Sequence, residues 1–495
     1  MYLRAGVFSL GLLLLSRALG LLRESAQAAA FGSTGMGDAV IVMFTLPDLL
    51  VGMLISGALA YVLLPAWAQQ KAAVQAAGQK KIACALVAGG LALGALLWLC
   101  KGVAVQALAP GLVGDMKEAT QSALGWSAAV LPLAMLAALW VTRLQHERDF
   151  IGMYAGNLIV NLALLVGLLV VAKSIAAQIS ALNVLGVCLV IAMLARLAWL
   201  AWRLPARPQP TAMAQSLDLP PASVWLWAAL SSGLMLVFPL VARSLASYAG
   251  EGALASFNYA WKLIELPLVL AVQLVASLAF PAITRTQAGT PERQRAVGLA
   301  FLIAWALACA AIAMVATFSL PIASLLFGWG RMSAASLEVI AQWSAIGIWS
   351  LLPQALMAVL LTVMATHGRM HVAVWVLAAG LAVLLVAALV GFDRNHAGTH
   401  VMWLLNAVFA CMAALLLLLE RHRMKATLPY VAAALPLLVC VGLVALKPLF
   451  FRLNVTAALM LCAVYGLLVL GSAVAASPVL RALLSEKLHR KSAAD

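Results

Sequence analysis

Four cations sit inside apolar runs that should hold none: Arg17, Arg23, Arg243 and Lys262. Four carboxylates join them, Glu24, Asp38, Asp48 and Glu265. A charge near the centre of a bilayer costs about 2.5–3.5 kcal/mol even on the lenient insertion scale, so each must face a cavity, a partner or an interface. A guanidinium presents a planar fork of N–H donors that meets two phosphate oxygens at once, and an ammonium adds a compact point charge. Gly20 lies between the two arginines of the first run, where it would let a helix bend or a ligand approach the backbone. Arg17 and Glu24 fall on one helical face seven residues apart, and they pair only if their side chains bridge two turns. Lys262 and Glu265 are three apart and are neighbours on one face. Two readings stay open. In one, these are structural ion pairs or snorkelling residues, which suits Arg243 near the end of its run. In the other, Arg17, Arg23 and Lys262 line a central cavity for an anionic, lipid-like substrate. Glu24, Asp38 and Glu265 then position the cations or close a gate, and Asp48 stays unassigned.

The medium explains why those charges stand out. Of 495 residues, 65% are hydrophobic and 9% charged, and the mean hydropathy is +1.06. A soluble domain carries about a quarter charged residues, so the bilayer must be the solvent for most of this chain. The seven cysteines lie in apolar segments without a CxxC pair, which reads as small buried hydrophobes rather than disulfides or zinc ligands. No cofactor or metal site is expected. Arg4, the apolar run after it and Ala28-Ala29-Ala30 imitate a secretory signal. Arg17 and Arg23 interrupt that run, and it reads as a retained first transmembrane helix.

Runs of about 20 apolar residues can cross the hydrocarbon core. They are expected at 5–31, 37–66, 82–109, 120–144, 151–172, 179–203, 222–249, 254–284, 296–320, 336–366, 371–392, 400–419, 428–446 and 454–476. Gly32-Ser33, Pro110-Gly111, Gly250-Glu251-Gly252 and Leu320-Pro321 mark breaks. Lys and Arg should collect on the cytoplasmic side. With both termini inside, the cytoplasmic connections hold Lys71, Lys80, Lys81, Arg143, Arg148, Arg196, Arg203, Arg207, Arg285, Arg293, Arg295, Arg369, Arg421, Arg423 and Lys425, and the termini add Arg4, Arg481, Lys487, Arg490 and Lys491. The outer side receives Lys101, Lys117, Lys173, Arg331, Arg394, Lys447 and Arg452. Most of the formal +15 charge is therefore topology signal, and no nucleic-acid partner is needed.

The expected fold is an all-α polytopic membrane protein of about fourteen helices. An N-terminal lobe (1–207) holds six, a proline-rich cytoplasmic linker (208–221) follows, and a second lobe (222–425) holds six more. Two extra helices (426–476) and a basic tail (477–495) complete it. Leu63-Leu64-Pro65-Ala66 and Ala279-Phe280-Pro281-Ala282 are a weak echo between the halves, the kind of repeat that places a transport site between lobes.

Beyond these patterns, the chain resembles one family in particular. Ser16-Arg17-Ala18-Leu19-Gly20-Leu21-Leu22-Arg23-Glu24, Phe31-Gly32, Gly37-Asp38-Ala39, Leu46-Pro47-Asp48-Leu49-Leu50, Gly57-Ala58 and Pro65 are similar to the opening of the MurJ (MviN) family of the MOP exporter superfamily. Tyr259-Ala260-Trp261-Lys262-Leu263-Ile264-Glu265-Leu266-Pro267 is similar to a later stretch of that family, with Lys262 where arginine is usual. The resemblance implies two six-helix lobes plus two helices, and alternating-access movement of an undecaprenyl-diphosphate-linked saccharide, lipid II foremost. It implies that Arg17 and Arg23 contact the diphosphate, that Lys262 faces them, and that Asp38 is important. Membrane lipids and cell-wall or polysaccharide synthesis proteins are the implied partners. Departures stand beside it: Val51-Gly52 replaces an arginine pair, Ser56 a glutamate and Asp48 an asparagine.

The rival readings differ in chemistry. A flippase for O-antigen, capsule or exopolysaccharide units shares the mechanism and changes the cargo. A multidrug cation antiporter calls for unpaired carboxylates that the later spans lack. A membrane-embedded glycosyltransferase or polymerase needs an acidic cluster. Asp115, Glu118, Glu251, Glu338 and Asp393 are scattered singly, and His367 and His371 have no third ligand nearby.

Overall fold

The computed structural model describes residues 2–70, 72–173, 178–205, 221–285, 290–390, 396–421, 428–447 and 453–482. The linker at 208–221 (except Pro221), the tail beyond 482, and Lys71, Arg207, Asp393, Arg394, Arg423, Lys425, Arg452, Lys487, Arg490 and Lys491 lie outside the described residues.

Among the described residues the regular structure is helical throughout. The chain runs through α1 (Tyr2–Phe31), α2 (Gly35–Met53), a π-turn (Leu54–Ala58), α3 (Leu59–Gln69), α4 (Ala72–Leu99), α5 (Lys101–Leu108), α6 (Gly114–His146), α7 (Phe150–Lys173), α8 (Gln178–Arg203) and α9 (Ala222–Ala246). It continues through α10 (Ala253–Arg285), α11 (Pro291–Phe327), α12 (Ala334–Gly347), α13 (Leu351–Thr366), α14 (Met370–Val390), α15 (Ala397–Leu419), and the pair Tyr430–Ala445 and Val455–Ala476. Eleven helices among the described residues are long and apolar enough to cross a membrane. Their outer faces stay apolar: Leu162, Val166, Leu169 and Val170 of α7 are exposed, as expected where lipid is the solvent.

Contacts divide the chain into two compact units, Met1–Ala255 with Phe327–Ser333, and Ser256–Leu326 with Ala334–Asp495. The core of the first is a cluster of buried side chains from α1, α2, α6, α7 and α8, including Phe31, Met43, Val130, Leu164, Leu185 and Met193. Small residues let its helices approach closely, as is usual where burial in lipid offers no hydrophobic gain. A Cβ on Gly94 would lie 2.6 Å from the carbonyl oxygen of Ala128, and one on Gly57 1.6 Å from Ser232 Oγ. The π-turn carrying Gly57 thus sits directly on α9.

In the second unit Trp305 Nε1 donates to the Ala433 carbonyl at 3.1 Å, and Asn406 Nδ2 to that of Ile346 at 2.8 Å. Arg369 and Glu420 form an ion pair at the ends of helices there.

Two boundaries correct the sequence reading. The expected break at Leu320-Pro321 is a kink inside α11, marked by Phe318 at φ −113°, ψ 28°. Pro321 has no N–H to give the carbonyl four residues back, which bends a helix without necessarily ending it. Lys447 Nζ donates to the Ala316 carbonyl at 2.9 Å beside that kink. The span expected at 82–109 starts earlier and is interrupted: α4 opens at Ala72 and stops at Leu99, with Cys100 leaving helical geometry before α5. Residues 72–81 are rich in alanine, glutamine and lysine, which extend a helix readily. The glycine turns hold where expected, with φ +64° at Gly32, +112° at Gly250 and +79° at Gly252.

Candidate functional site

The described part of α1 carries Arg17, Gly20, Arg23 and Glu24. The Arg23 side chain is 11% exposed; its Nη2 donates to Glu24 Oε1 at 2.9 Å and lies 3.8 Å from Asp48 Oδ2 on α2. The guanidinium carbon stands 5.6 Å from the centre of the Phe44 ring, a cation–π placement. Arg23 Nε is buried and finds no acceptor. Asp48 is 61% exposed, so it borders Arg23 from an open side. Arg17 is exposed, with its field reaching Tyr154 of α7. At Gly20 a Cβ would make ordinary contact with α7, 3.8 Å from Asn161 Nδ2.

Asp38 binds backbone. It is fully buried, and its Oδ2 and Oδ1 accept from the backbone N–H groups of Gly252 and Ala255 at 2.8 and 2.7 Å. Those groups open α10, and helix amino ends leave N–H groups without intrahelical partners while favouring negative charge. Asp38 therefore holds a helix end rather than an arginine. Arg243 Nη1 donates to Thr45 Oγ1 at 3.0 Å, tying α9 to α2. In the second unit Lys262 Nζ donates to Glu265 Oε2 at 2.9 Å. The first unit thus joins Arg23, Glu24 and Asp48, with Arg17 and Gly20 further along α1, while Lys262 and Glu265 pair with each other.

One residue escapes the sequence reading. Arg196, counted there among the loop cations, lies two turns inside α8 and is 3% exposed. Its Nε and Nη2 meet no acceptor, and Asp48 is the carboxylate whose field reaches it. The signal for its burial is its distance from Arg203, which marks the helix end seven residues later.

Arg203 and Arg143, near turns, both have partners. Arg203 grips Asp149 with Nε and Nη2, each at 2.8 Å. Burial alone would push the Asp149 carboxyl up, but the bonds from Arg203 and the Gly152 N–H prevail and hold it below its ordinary value. Arg143 pairs with Glu147 and Gln75. Among the described residues no three or more His, Cys, Asp or Glu gather as metal ligands do. Arg23 and Arg196 are thus guanidiniums with buried nitrogens that meet no acceptor, and Asp48 is the carboxylate whose field reaches both.

Comparisons with known proteins agree in direction. A family model described as lipid II flippase MurJ matches residues 27–480. The probable lipid II flippase MurJ of Rickettsia prowazekii is 24% identical over 295 residues, 57% of this chain and 56% of that protein. The match thus spans little more than half of that relative. The lipid II flippase MurJ of Burkholderia cenocepacia is 24% identical over 357 residues, 67% of each chain. Among solved structures, a lipid II flippase MurJ in an inward closed conformation superposes with a TM-score of 0.79 at 13% identity, covering 97% of this chain and 99% of that one. An inward-facing MATE family transporter of the MOP superfamily gives 0.64 at 15% identity over 83% and 95%. At such identities the two structures speak for the fold alone.

Proposed function

The chain belongs to the MurJ lipid II flippase family, and from that premise we propose that it carries lipid II across the bacterial inner membrane by alternating access. The match over residues 27–480 is the observation that carries this reading. The protein is an all-α, multi-pass membrane protein whose fold is shared with MurJ and MATE transporters. Fourteen crossings with both termini cytoplasmic, in two six-helix lobes and two extra helices, complete the reading. The loop-charge alternation supports it.

A lipid-linked diphosphate cannot enter hydrocarbon with its charge bare. Arg23, held by Glu24 and partly by Asp48, keeps donors available to phosphate oxygens. Arg17, exposed on the same helix, meets the phosphate on its way, and Lys262 is the cation of the second lobe. Glu265 sets the Lys262 ammonium, and Asp38 anchors the amino end of α10 as gates change. Two negative charges moving outward gain about 5 kcal/mol per 100 mV of inside-negative potential, which suffices to drive the cycle without a coupled ion. Cell-wall synthesis proteins are the partners this role implies.

A second reading, a flippase for another lipid-linked oligosaccharide, draws on Val51 and Gly52. Gly52 leaves no free room for an arginine stem, since its Cβ would come 3.2 Å from Leu236 Cδ1. Expression in cells depleted of their lipid II flippase separates the two. Growth and normal shape support lipid II as cargo. Lysis despite normal accumulation of the protein, with restored export of another glycan, supports the second reading.

A further inference from the structure

We infer that Arg196 is a further phosphate-binding residue, a guanidinium buried in α8 of the same unit as Arg17 and Arg23, which takes an anionic lipid diphosphate. This rests on the flippase reading and adds a ligand to its site.

Other guanidiniums of the described helices, less buried than Arg196, find partners. Arg143, Arg203 and Arg369 each lay theirs on a carboxylate, and Arg243 reaches Thr45. Arg196 is more buried than any of these four, at 3%, yet Nε and Nη2 have no acceptor. A guanidinium stays charged in any protein environment, so it cannot escape the cost by losing its proton. Leaving buried charged donors unmade is among the most expensive arrangements available to a fold.

Its neighbours do not remove that cost. Asp48 faces Arg196 electrostatically, but it is 61% exposed and also lies 3.8 Å from Arg23. Glu24 is committed to Arg23. Among the described residues, Asp48 is thus shared between two guanidiniums, those of Arg23 and Arg196. Arg23 Nε is likewise buried without an acceptor. Buried donors without acceptors therefore remain on α1 and on α8, and planar forks suit the oxygens of a phosphate. On α7, Gly156 lies flush under the Arg196 stem, where a Cβ would sit 3.6 Å from Cγ. That support holds the fork in place.

The test uses the full chain purified into nanodiscs. Undecaprenyl diphosphate, undecaprenyl monophosphate and inorganic pyrophosphate are titrated against wild type, Arg196→Gln, Arg196→Lys and Arg23→Gln, with thermal stability read without ligand. Arg196→Gln should weaken undecaprenyl diphosphate binding at least tenfold without lowering the ligand-free Tm, because an unmatched buried charge is removed. Arg196→Lys, which keeps charge but loses the fork, should fall between. Pyrophosphate binding that is equally sensitive assigns the residue to the phosphates; loss only with the lipid-linked form assigns it to the headgroup held in its membrane setting. Binding unchanged in Arg196→Gln, or in Arg196→Lys if the glutamine variant does not fold, overturns the inference. A ligand-free Tm drop with unchanged binding makes Arg196 structural and overturns it too. If Arg23→Gln loses binding while both Arg196 variants keep it, only this inference fails; if all three bind as wild type, the diphosphate reading fails as well.

Discussion

Arg196 and Arg203 stand two turns apart on one helix and live in opposite surroundings. Arg203 closes α8 with Nε and Nη2 both on Asp149, in a turn where Arg148 takes a left-handed φ of 60° and Asp149 also caps the start of α7. Arg196 is buried with two nitrogens unmatched. The turn offers carboxylates and loose backbone groups that saturate a guanidinium locally. Inside the first unit the surrounding helices spend their backbone groups on themselves, and Asp48 is shared. The same residue type is thus a clasp at the helix end and an open set of donors within. Arg23 sits between these extremes, paired with Glu24 yet with Nε free of any acceptor.

That contrast is broken most severely at Arg23. Arg23→Ala should cut lipid II flipping by roughly two orders of magnitude with normal membrane accumulation, since truncating a buried charged partner costs about 2–5 kcal/mol. A transport assay beside an immunoblot checks it, and full flipping would end the clamp reading.

Asp38→Ala comes next. It removes the acceptor of two N–H groups at the start of α10, which should cost about 1–2 kcal/mol. A thermal melt should fall by several degrees, with Asp38→Asn recovering part of it; equal melts for all three would deny the cap.

Asp149→Asn probes the clasp itself. The folded carboxyl lies below its ordinary value, so its contribution is present above the unfolded pKa of about 4 and is lost as pH falls through the folded one. The variant should melt slightly below wild type at pH 7, by up to about 1 kcal/mol for a partly exposed pair. The two curves should converge in acid, and a gap that widens in acid would reverse the sign.

Gly52→Ala should be smallest. Gained helix propensity of up to about 1 kcal/mol offsets the 3.2 Å approach to Leu236, so transport and melt should both stay near wild type. A large loss would show that α2 tolerates no side chain there.

Much of the fold is legible in the amino-acid sequence itself. Apolar run lengths locate the helices, because a spanning segment must satisfy its backbone internally. Gly32 and the Gly250–Gly252 turn declare themselves through composition. Lys262 and Glu265 pair three residues apart as local spacing requires. The features that escape depend on partners distant in sequence. Nothing near Asp38 says that its carboxylate will meet backbone more than two hundred residues away. Arg196 reads as a loop cation because a basic residue near a helix end looks alike whether it reaches water or packs against α7. Leu320-Pro321 carries a stop signal, yet α11 runs on to Phe327 and only kinks.

The central claim is lipid II movement through a guanidinium-lined path, and reconstitution tests it most directly. Purified protein is placed in vesicles bearing fluorescent lipid II, and exposure of the headgroup on the opposite face is followed with and without an imposed potential. The account predicts transfer that depends on the protein, quickens when the receiving face is positive, and collapses in Arg23→Ala. Transfer in the Arg23→Ala variant at the wild-type rate would contradict it.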